Sequence, residues 1–426
     1  MRNNNHQRFP ALYIRDFRVF WIGQVISFSG TWMQSTAQGW LVYSLTKSPF
    51  YLGIVATASS LPVLLFTLLG GVAADRFRKK KLLIITQSLS ILPALLLGIM
   101  TDFKIITPLH IIVIAFSLGI INAFDLPARQ SFLIEMVQRG RLTNAIALNS
   151  AAFNGARILG PLIAGFAIAY TGVATCFYIN ALSFLAAIIA LIRIKGEGVK
   201  RLIGEEKKKF THSPIHLFTY FKDLREGLRF ISGNKDILRT MVLVATFSLF
   251  GIPFVTLLPV FAEDILMVGA KGLGYLGGAS GIGAFTAALI IAYRGEIRAK
   301  GILMSIAALV FSFSLMAFSV SRYYTASLII LIFTGWGIVT FLALGNSFVQ
   351  LTVPDELRGR VMSVYTLLFL GLSPIGNSLI GLIADIIGAD RAITIGSLIC
   401  FIVTTLLIRG LKGIETEVNR LKAGGG

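Results

Sequence analysis

The chain has 426 residues, 55% of them hydrophobic and only 14% charged, with a formal net charge of +19 and a mean hydropathy of +0.79. A soluble domain with that balance would expose large apolar patches to water, so a soluble globular protein is excluded. The charge alone invites a nucleic-acid reading, and only its distribution along the chain decides the matter.

The polar start, MRNNNHQRFPALYIRDFR, runs into an apolar block that no small-residue cleavage site follows. The block is therefore read as a first helix and not as a removed signal peptide. Further blocks are long enough, at ~1.5 Å per residue, to cross a ~30 Å hydrocarbon core. They run over roughly 17–42, 50–74, 82–101, 108–129, 145–169 and 174–194, then 239–262, 273–294, 301–320, 325–349, 361–386 and 391–410. The expectation is an all-α membrane protein with twelve transmembrane helices. With the N-terminus in the cytoplasm, 33 of the 39 Lys and Arg fall on the cytoplasmic side. Five fall outside (Lys47, Lys104, Lys271, Arg322 and Arg391) and Arg157 falls within the membrane. That asymmetry is the positive-inside pattern. It places both termini in the cytoplasm and removes the case for a nucleic-acid partner.

On the first helix Gln24, Thr31, Gln34, Ser35 and Gln38 share one side at helical spacing, a candidate cavity lining. The loop after the second helix reads Gly71-Val-Ala-Ala-Asp75-Arg76-Phe-Arg78-Lys79-Lys80. Gly71 would allow close helix approach, and Asp75 could accept from a neighbouring helix N-terminus or pair with arginine. This loop resembles the signature that the major facilitator superfamily carries between its second and third helices. The resemblance implies two pseudo-symmetric six-helix bundles, and a network at this loop that latches the outward-facing state. Where the family often has glycine, this chain has Arg78, which leaves the tight turn there open.

Near the end of the fourth helix Asp125 shares a face with Asn122 and Arg129. Arg157 lies roughly 18 Å into the fifth helix and must find an acceptor, since a charge at a helix centre costs ~2.5–3.5 kcal/mol on insertion scales. Asp125 is expected to pair with either Arg157 or Arg129. The pair is either a protonatable switch or a permanent ion pair orienting helices. Around Arg157 the fifth helix reads Asn154-Gly155-Ala-Arg157-Ile-Leu-Gly160-Pro161-Leu-Ile-Ala-Gly165. It resembles the Gly-Pro motif of the superfamily's antiporters, while simple close packing is the alternative.

The sequence divides into an N-terminal six-helix bundle (1–194), a cytoplasmic linker with an amphipathic helix (195–238), and a C-terminal six-helix bundle with a short cytoplasmic tail (239–426). In the linker Leu217, Phe221, Leu224, Leu228 and Ile231 recur at spacings of three and four, as in an interfacial helix; a solvated linker is the alternative. Residues 137–194 align without gaps to 353–410, so that Gly160 falls on Gly376, Gly165 on Gly381 and Gly172 on Gly388. Leu52–Gly53 echoes Leu273–Gly274. Such repeats imply two related bundles with a site near the midplane. Glycines at 274, 277, 278 and 281 predict close packing of the eighth helix. Asn149, Asn154, Trp336, Asn346, Tyr365 and Asn377 join the first-helix stripe as candidate cavity residues, uncharged and aromatic, suiting an amphipathic organic molecule.

The four histidines form no cluster, Cys176 and Cys400 have no metal or redox spacing, and no P-loop is present. No enzyme, metal or cofactor site is expected. Gly30 to Gln34, Leu41 to Pro49, Asp125 to Gln130 and Arg358-Gly-Arg360 occur in order. Together they resemble the branch holding enterobactin-type siderophore exporters and macrolide-efflux proteins, the transmembrane secretion effectors. The resemblance implies a monomeric exporter in the bacterial inner membrane, with protons as coupling ion and a small-molecule substrate. A lipid or lysolipid translocator and a transport-inactive membrane scaffold are the competing readings.

Overall fold

The structure is a computed structural model that describes residues 10–194, 217–294 and 300–411. Among these residues there is no strand. Helices 1 to 6 are Arg15–Thr46, Pro49–Arg76, Lys79–Asp102, Pro108–Met136, Arg139–Thr171 and Val173–Arg193. A linker helix, Leu217–Gly233, precedes helices 7 to 12: Lys235–Ile265, Gly269–Arg294, Lys300–Val320, Tyr324–Thr352, Asp355–Ile387 and Ala389–Leu411. Among the described residues, 11 helices are long and apolar enough to cross a membrane. Helix 1 is outside that set although it has 32 residues. Gln24, Ser27, Thr31, Gln34 and Gln38 interrupt its apolar run.

Local sequence sets the ends. Thr107 and His110 form a capping box with Pro108 opening helix 4, and Asn234 accepts from the backbone N–H of Asp236 and Ile237, both at 3.1 Å, to start helix 7. Gly172 and Gly388, partners in the internal repeat, both take positive φ, +93° and +98°, where helices 5 and 11 give way to the next helix. Only glycine adopts that backbone readily. The repeat recurs in packing. A Cβ on Gly160 would collide with Trp32 and Met33 of helix 1, and one on Gly376 with the carbonyl oxygens of Ser248 and Leu249 in helix 7.

The described residues group into two compact units, one within Met1–Gln38 and Pro62–Ser213, the other within Gly39–Leu61 and Pro214–Gly426. The segment Gly39–Leu61 thus groups with the second unit, although the sequence assigns it to the first bundle. In unit 1, helix 3 lies between helices 4 and 6, and Phe17, Phe20, Phe132 and Leu133 fill one core. In unit 2, Phe247 stands 5.0 Å from Phe311 and 4.9 Å from Phe341, centroid to centroid. Gly283 meets the carbonyl of Ile332 and Gly335 that of Ser280, so helix 8 packs on helix 10 backbone to backbone.

Helices 7 and 11 are irregular. Phe247–Gly251, Phe261–Ile265 and Leu367–Gly371 are π-helical turns, and Ile252–Leu257 is a 3₁₀ segment. Such turns often mark functional positions. Ser248 donates to the carbonyl of Phe369 at 2.6 Å, and Thr256 to Asn377 Oδ1 at 3.2 Å, so the two irregular helices are stitched together.

The linker helix holds to helix 11 through an ion pair between Glu226 and Arg360, and Gly227 lies against the Arg360 carbonyl. Of its expected apolar face, Ile231 is buried and Leu228 half exposed. The charged run Glu205–Lys209 and His216 lie outside the described residues.

Candidate functional site

In unit 1 the buried acid expected on helix 4 anchors a polar network. Asp125 Oδ1 accepts from Thr86 Oγ1 at 2.7 Å and from Gln87 Nε2 at 2.9 Å. Its Oδ2 accepts from Arg129 Nε at 2.8 Å and also from Nη2. Of the two arginines open on sequence grounds, Asp125 is paired with Arg129, one helical turn away. Arg129 Nη1 donates to Gln24 Oε1, and the guanidinium lies 4.7 Å from the ring centroid of Phe28. Ser27 Oγ donates to Gln87 Oε1 at 3.2 Å. Asp125 is 3% exposed and Arg129 9%. A buried pair persists only with its remaining polar groups satisfied, and here helices 1, 3 and 4 supply the partners. Thr86 and Gln87 were not among the expected site residues. Their signal is the polar run Thr86, Gln87, Ser90 inside the apolar third helix.

The aromatic contacts continue from Phe28. Phe28 and Phe153 stand 5.6 Å apart edge to face, and Trp32 and Phe153 5.8 Å. The Arg157 guanidinium lies 5.6 Å from the Trp32 ring centroid. Three rings from helices 1 and 5 are thus bracketed by two arginines. Arg157 is half-buried near the middle of helix 5, with no carboxylate in ion-pair range among the described residues. Of the two pairings open for Asp125, the one with Arg157 is not formed among the described residues, and the Trp32 ring face lies against Arg157 instead.

The first-helix stripe divides. Gln24, Gln34 and Gln38 are buried, whereas Thr31 and Ser35 are exposed. Gln34 accepts from Asn180 Nδ2 at 2.7 Å and so joins helix 1 to helix 6; it is packed and not a lining group. Gln38 Nε2 is buried with no hydrogen-bond partner among the described residues. Asn154 donates to the Ser150 carbonyl at 2.9 Å on its own helix, and Asn149 is half-buried. In unit 2, Tyr365 is 4% exposed and donates to the Leu342 carbonyl at 3.2 Å, a core tyrosine and not a cavity wall. Trp336 is half-buried, Asn346 accepts from Gln350 of its own helix, and Asn377 is buried against Thr256.

At the loop after helix 2 the structure corrects the sequence expectation. A Cβ on Gly71 would meet nothing within 4 Å, whereas one on Gly70 would strike the carbonyl of Ala123. The helical register turns residue 70 toward helix 4. Arg78 has φ −63° and ψ 113°, an extended conformation open to any residue, so no glycine is needed there. Asp75 and Arg76 are exposed, and Asp75 has no hydrogen bond or ion pair among the described residues. The basic cluster is held elsewhere, by Lys79 to Glu135 at 2.6 Å and by Lys80 Nζ to the Ile194 carbonyl at 2.8 Å. Pro161 lies within helix 5 beside Gly160, and Gly381, the repeat partner of Gly165, sits within 3 Å of Pro49 O were it to carry a Cβ. Arg358 pairs with Asp355 and donates from Nε to the Gln350 carbonyl at 3.0 Å.

A polar cluster in unit 2 fastens the end of helix 1 and the start of helix 2 to helices 7 and 11. Tyr43 OH donates to Asp264, Lys47 pairs with Glu263 at 3.1 Å, and Ser48 Oγ donates to Asp385 at 2.6 Å. Thr57 Oγ1 donates to the Pro374 carbonyl at 2.9 Å, and Gly53 meets the Asn377 carbonyl. The acids Glu263, Asp264 and Asp385 thereby have partners that sequence spacing did not reveal.

The sequence and the fold match those of known membrane transporters. The sequence is 25% identical over 386 residues to the Staphyloferrin A transporter of Staphylococcus aureus, covering 89% of this chain and 92% of the relative. It is 27% identical over 370 residues to the multidrug efflux pump Tap of Mycolicibacterium fortuitum, covering 84% and 87%. A crystal structure of a peptide transporter superposes with a TM-score of 0.72 at 12% identity over 94% of this chain and 95% of that one, which shows a shared fold. The fold and the relatives are those of multi-pass membrane transporters and not of enzymes. The profile of the transmembrane secretion effectors matches residues 7–421, and the chain belongs to that family.

Proposed function

We propose that the protein exports small amphipathic organic molecules across the bacterial inner membrane by alternating access, driven by proton antiport. The observation that carries this reading is the buried Asp125–Arg129 pair held by Thr86, Gln87 and Gln24. It is a titratable group inside a membrane span with three helices attached to it. Protonating Asp125 removes the charge that Arg129 and two donors hold, and biases the packing of helices 1, 3 and 4 toward a second arrangement. The relatives, one a Staphyloferrin A transporter and one a drug efflux pump, support a small organic cargo.

The cluster Tyr43–Asp264, Lys47–Glu263 and Ser48–Asp385 would hold the end of helix 1 and the start of helix 2 to helices 7 and 11 within unit 2. Asp75 and Arg76, exposed here, would engage a partner in another state of the cycle. Both termini lie in the cytoplasm on this reading, since the basic loops then face inward. The protein works as a monomer, and Gly160, Pro161 and Gly165 seal helix 5 against helix 1.

The test is carboxyfluorescein efflux from energised cells, loaded through the diacetate ester and carrying wild type or Asp125→Asn at equal membrane abundance. A drop of about tenfold or more in the variant is expected. Equal rates at every external pH would remove Asp125 from the coupling step.

A further inference from the structure

Among the described residues Arg157 is a charge without a counter-charge. It sits near the middle of helix 5, half-buried, and no carboxylate approaches it among the described residues. Its guanidinium lies over the face of Trp32, 5.6 Å from the ring centroid. A guanidinium has five N–H donors and no acceptor, and a ring face satisfies the charge without using those donors in their own plane. Intramembrane arginines are costly, and they are found paired or lining a binding cavity. Arg129, the other arginine of this unit's interior, is fully engaged by Asp125 and Gln24, which shows how a structural arginine is satisfied here.

The surroundings of Arg157 differ from those of Arg129. Phe153, one turn before it on helix 5, is 42% exposed and packs edge to face on both Trp32 and Phe28. Asn154, three residues before it, is half-buried and donates to Ser150 of its own helix. A planar fork of donors therefore lies beside an accessible aromatic surface. We infer that Arg157 is the anion-binding residue of the transport site, taking the carboxylate or similar planar oxyanion of an amphipathic cargo whose apolar part rests on Trp32 and Phe153. Bidentate N–H···O bonds to a carboxylate match the fork geometry and would supply the counter-charge that the protein withholds. The inference rests on the exporter reading and adds a preference for organic anions over cations.

The test uses two dyes that share a xanthene ring system, fluorescein as the carboxylate anion and rhodamine 6G as a cationic ester. Each is titrated by fluorescence anisotropy into purified full-length protein in detergent, for wild type, Arg157→Gln and Arg157→Lys. The expected result is tighter binding of fluorescein than of rhodamine 6G by wild type. In Arg157→Gln the fluorescein Kd should rise tenfold or more with rhodamine 6G unchanged, and Arg157→Lys should fall between. Because a variant can fail to fold, wild type is also titrated with benzoate and benzamide as competitors. Benzoate should displace fluorescein where benzamide does not. Equal displacement by the two competitors, a wild-type preference for the cation, or equal weakening of both dyes in Arg157→Gln would overturn the inference. Failure of the exporter reading would appear separately, as dye binding intact but no gradient-driven transport of either dye in vesicles.

Discussion

Ser248 and Phe369 are joined by a 2.6 Å hydrogen bond from the serine hydroxyl to the backbone carbonyl, which links the π-helical turn of helix 7 to that of helix 11. A π-turn displaces the regular i→i−4 pattern and leaves carbonyls in need of other donors. Inside a membrane no water replaces them. Ser248→Ala should therefore destabilise the protein by ~0.5–1.5 kcal/mol, the usual net contribution of such a hydrogen bond. Thermal unfolding in detergent checks this; an unchanged Tm would mean that the carbonyl has another donor.

Adjacent glycines at the end of helix 2 should behave differently. A side chain on Gly70 meets the backbone of Ala123 and Phe124, and one on Gly71 meets open space. Gly70→Ala should cost ~1–3 kcal/mol through overpacking, while Gly71→Ala should stay within about 0.5 kcal/mol of wild type. Melting curves of the two single variants, compared side by side, decide it. Equal losses would place the close approach at both positions.

Gln24 is the expected lining residue that the structure turns into a support. It accepts from Arg129 Nη1, while Asp125 holds the other side of the guanidinium. Gln24→Leu should leave a buried donor unpaired, costing about 1–3 kcal/mol, and should lower efflux without abolishing dye binding. Full efflux together with an unchanged Tm would show that Arg129 does not depend on helix 1.

A Cβ on Gly227 of the linker helix would come within 2.9 Å of the Arg360 carbonyl oxygen, and Glu226 pairs with Arg360. Both charged groups are partly exposed, so the pair alone contributes at most about 1 kcal/mol. Gly227→Leu should wedge the helices apart and expose the linker helix to limited proteolysis, whereas Glu226→Gln should leave the cleavage pattern nearly as in wild type. Identical patterns for Gly227→Leu and wild type would contradict the contact.

The span boundaries were legible because a membrane demands long apolar runs and tolerates charge only at their ends. Helix 4, expected over 108–129, begins at Pro108 in the structure but runs on to Met136, because its polar end continues the helix beyond the apolar run. The repeat was legible for a related reason: Gly172 and Gly388 hold the same left-handed turn in both halves, and few residues can replace glycine there. The uses of individual polar residues were not. Gln34 and Tyr365 read as lining groups, yet each has a partner on another part of the chain, Asn180 and the Leu342 carbonyl. Helical spacing names a face and not what the face meets. The assignment of close approach to Gly71 in place of Gly70 has the same cause, since neighbouring residues differ by about 100° around a helix. The π-turns of helices 7 and 11 leave no period that a sequence shows.

The claim on which the rest depends is gradient-driven export. Purified protein reconstituted into proteoliposomes, with a pH gradient imposed by a rapid shift of the external buffer, measures it directly through movement of carboxyfluorescein against its concentration gradient. Accumulation that follows the sign of the pH gradient and vanishes on adding nigericin is the expected result. Carboxyfluorescein movement that only equalises concentrations, or that persists unchanged after the gradient collapses, would contradict it.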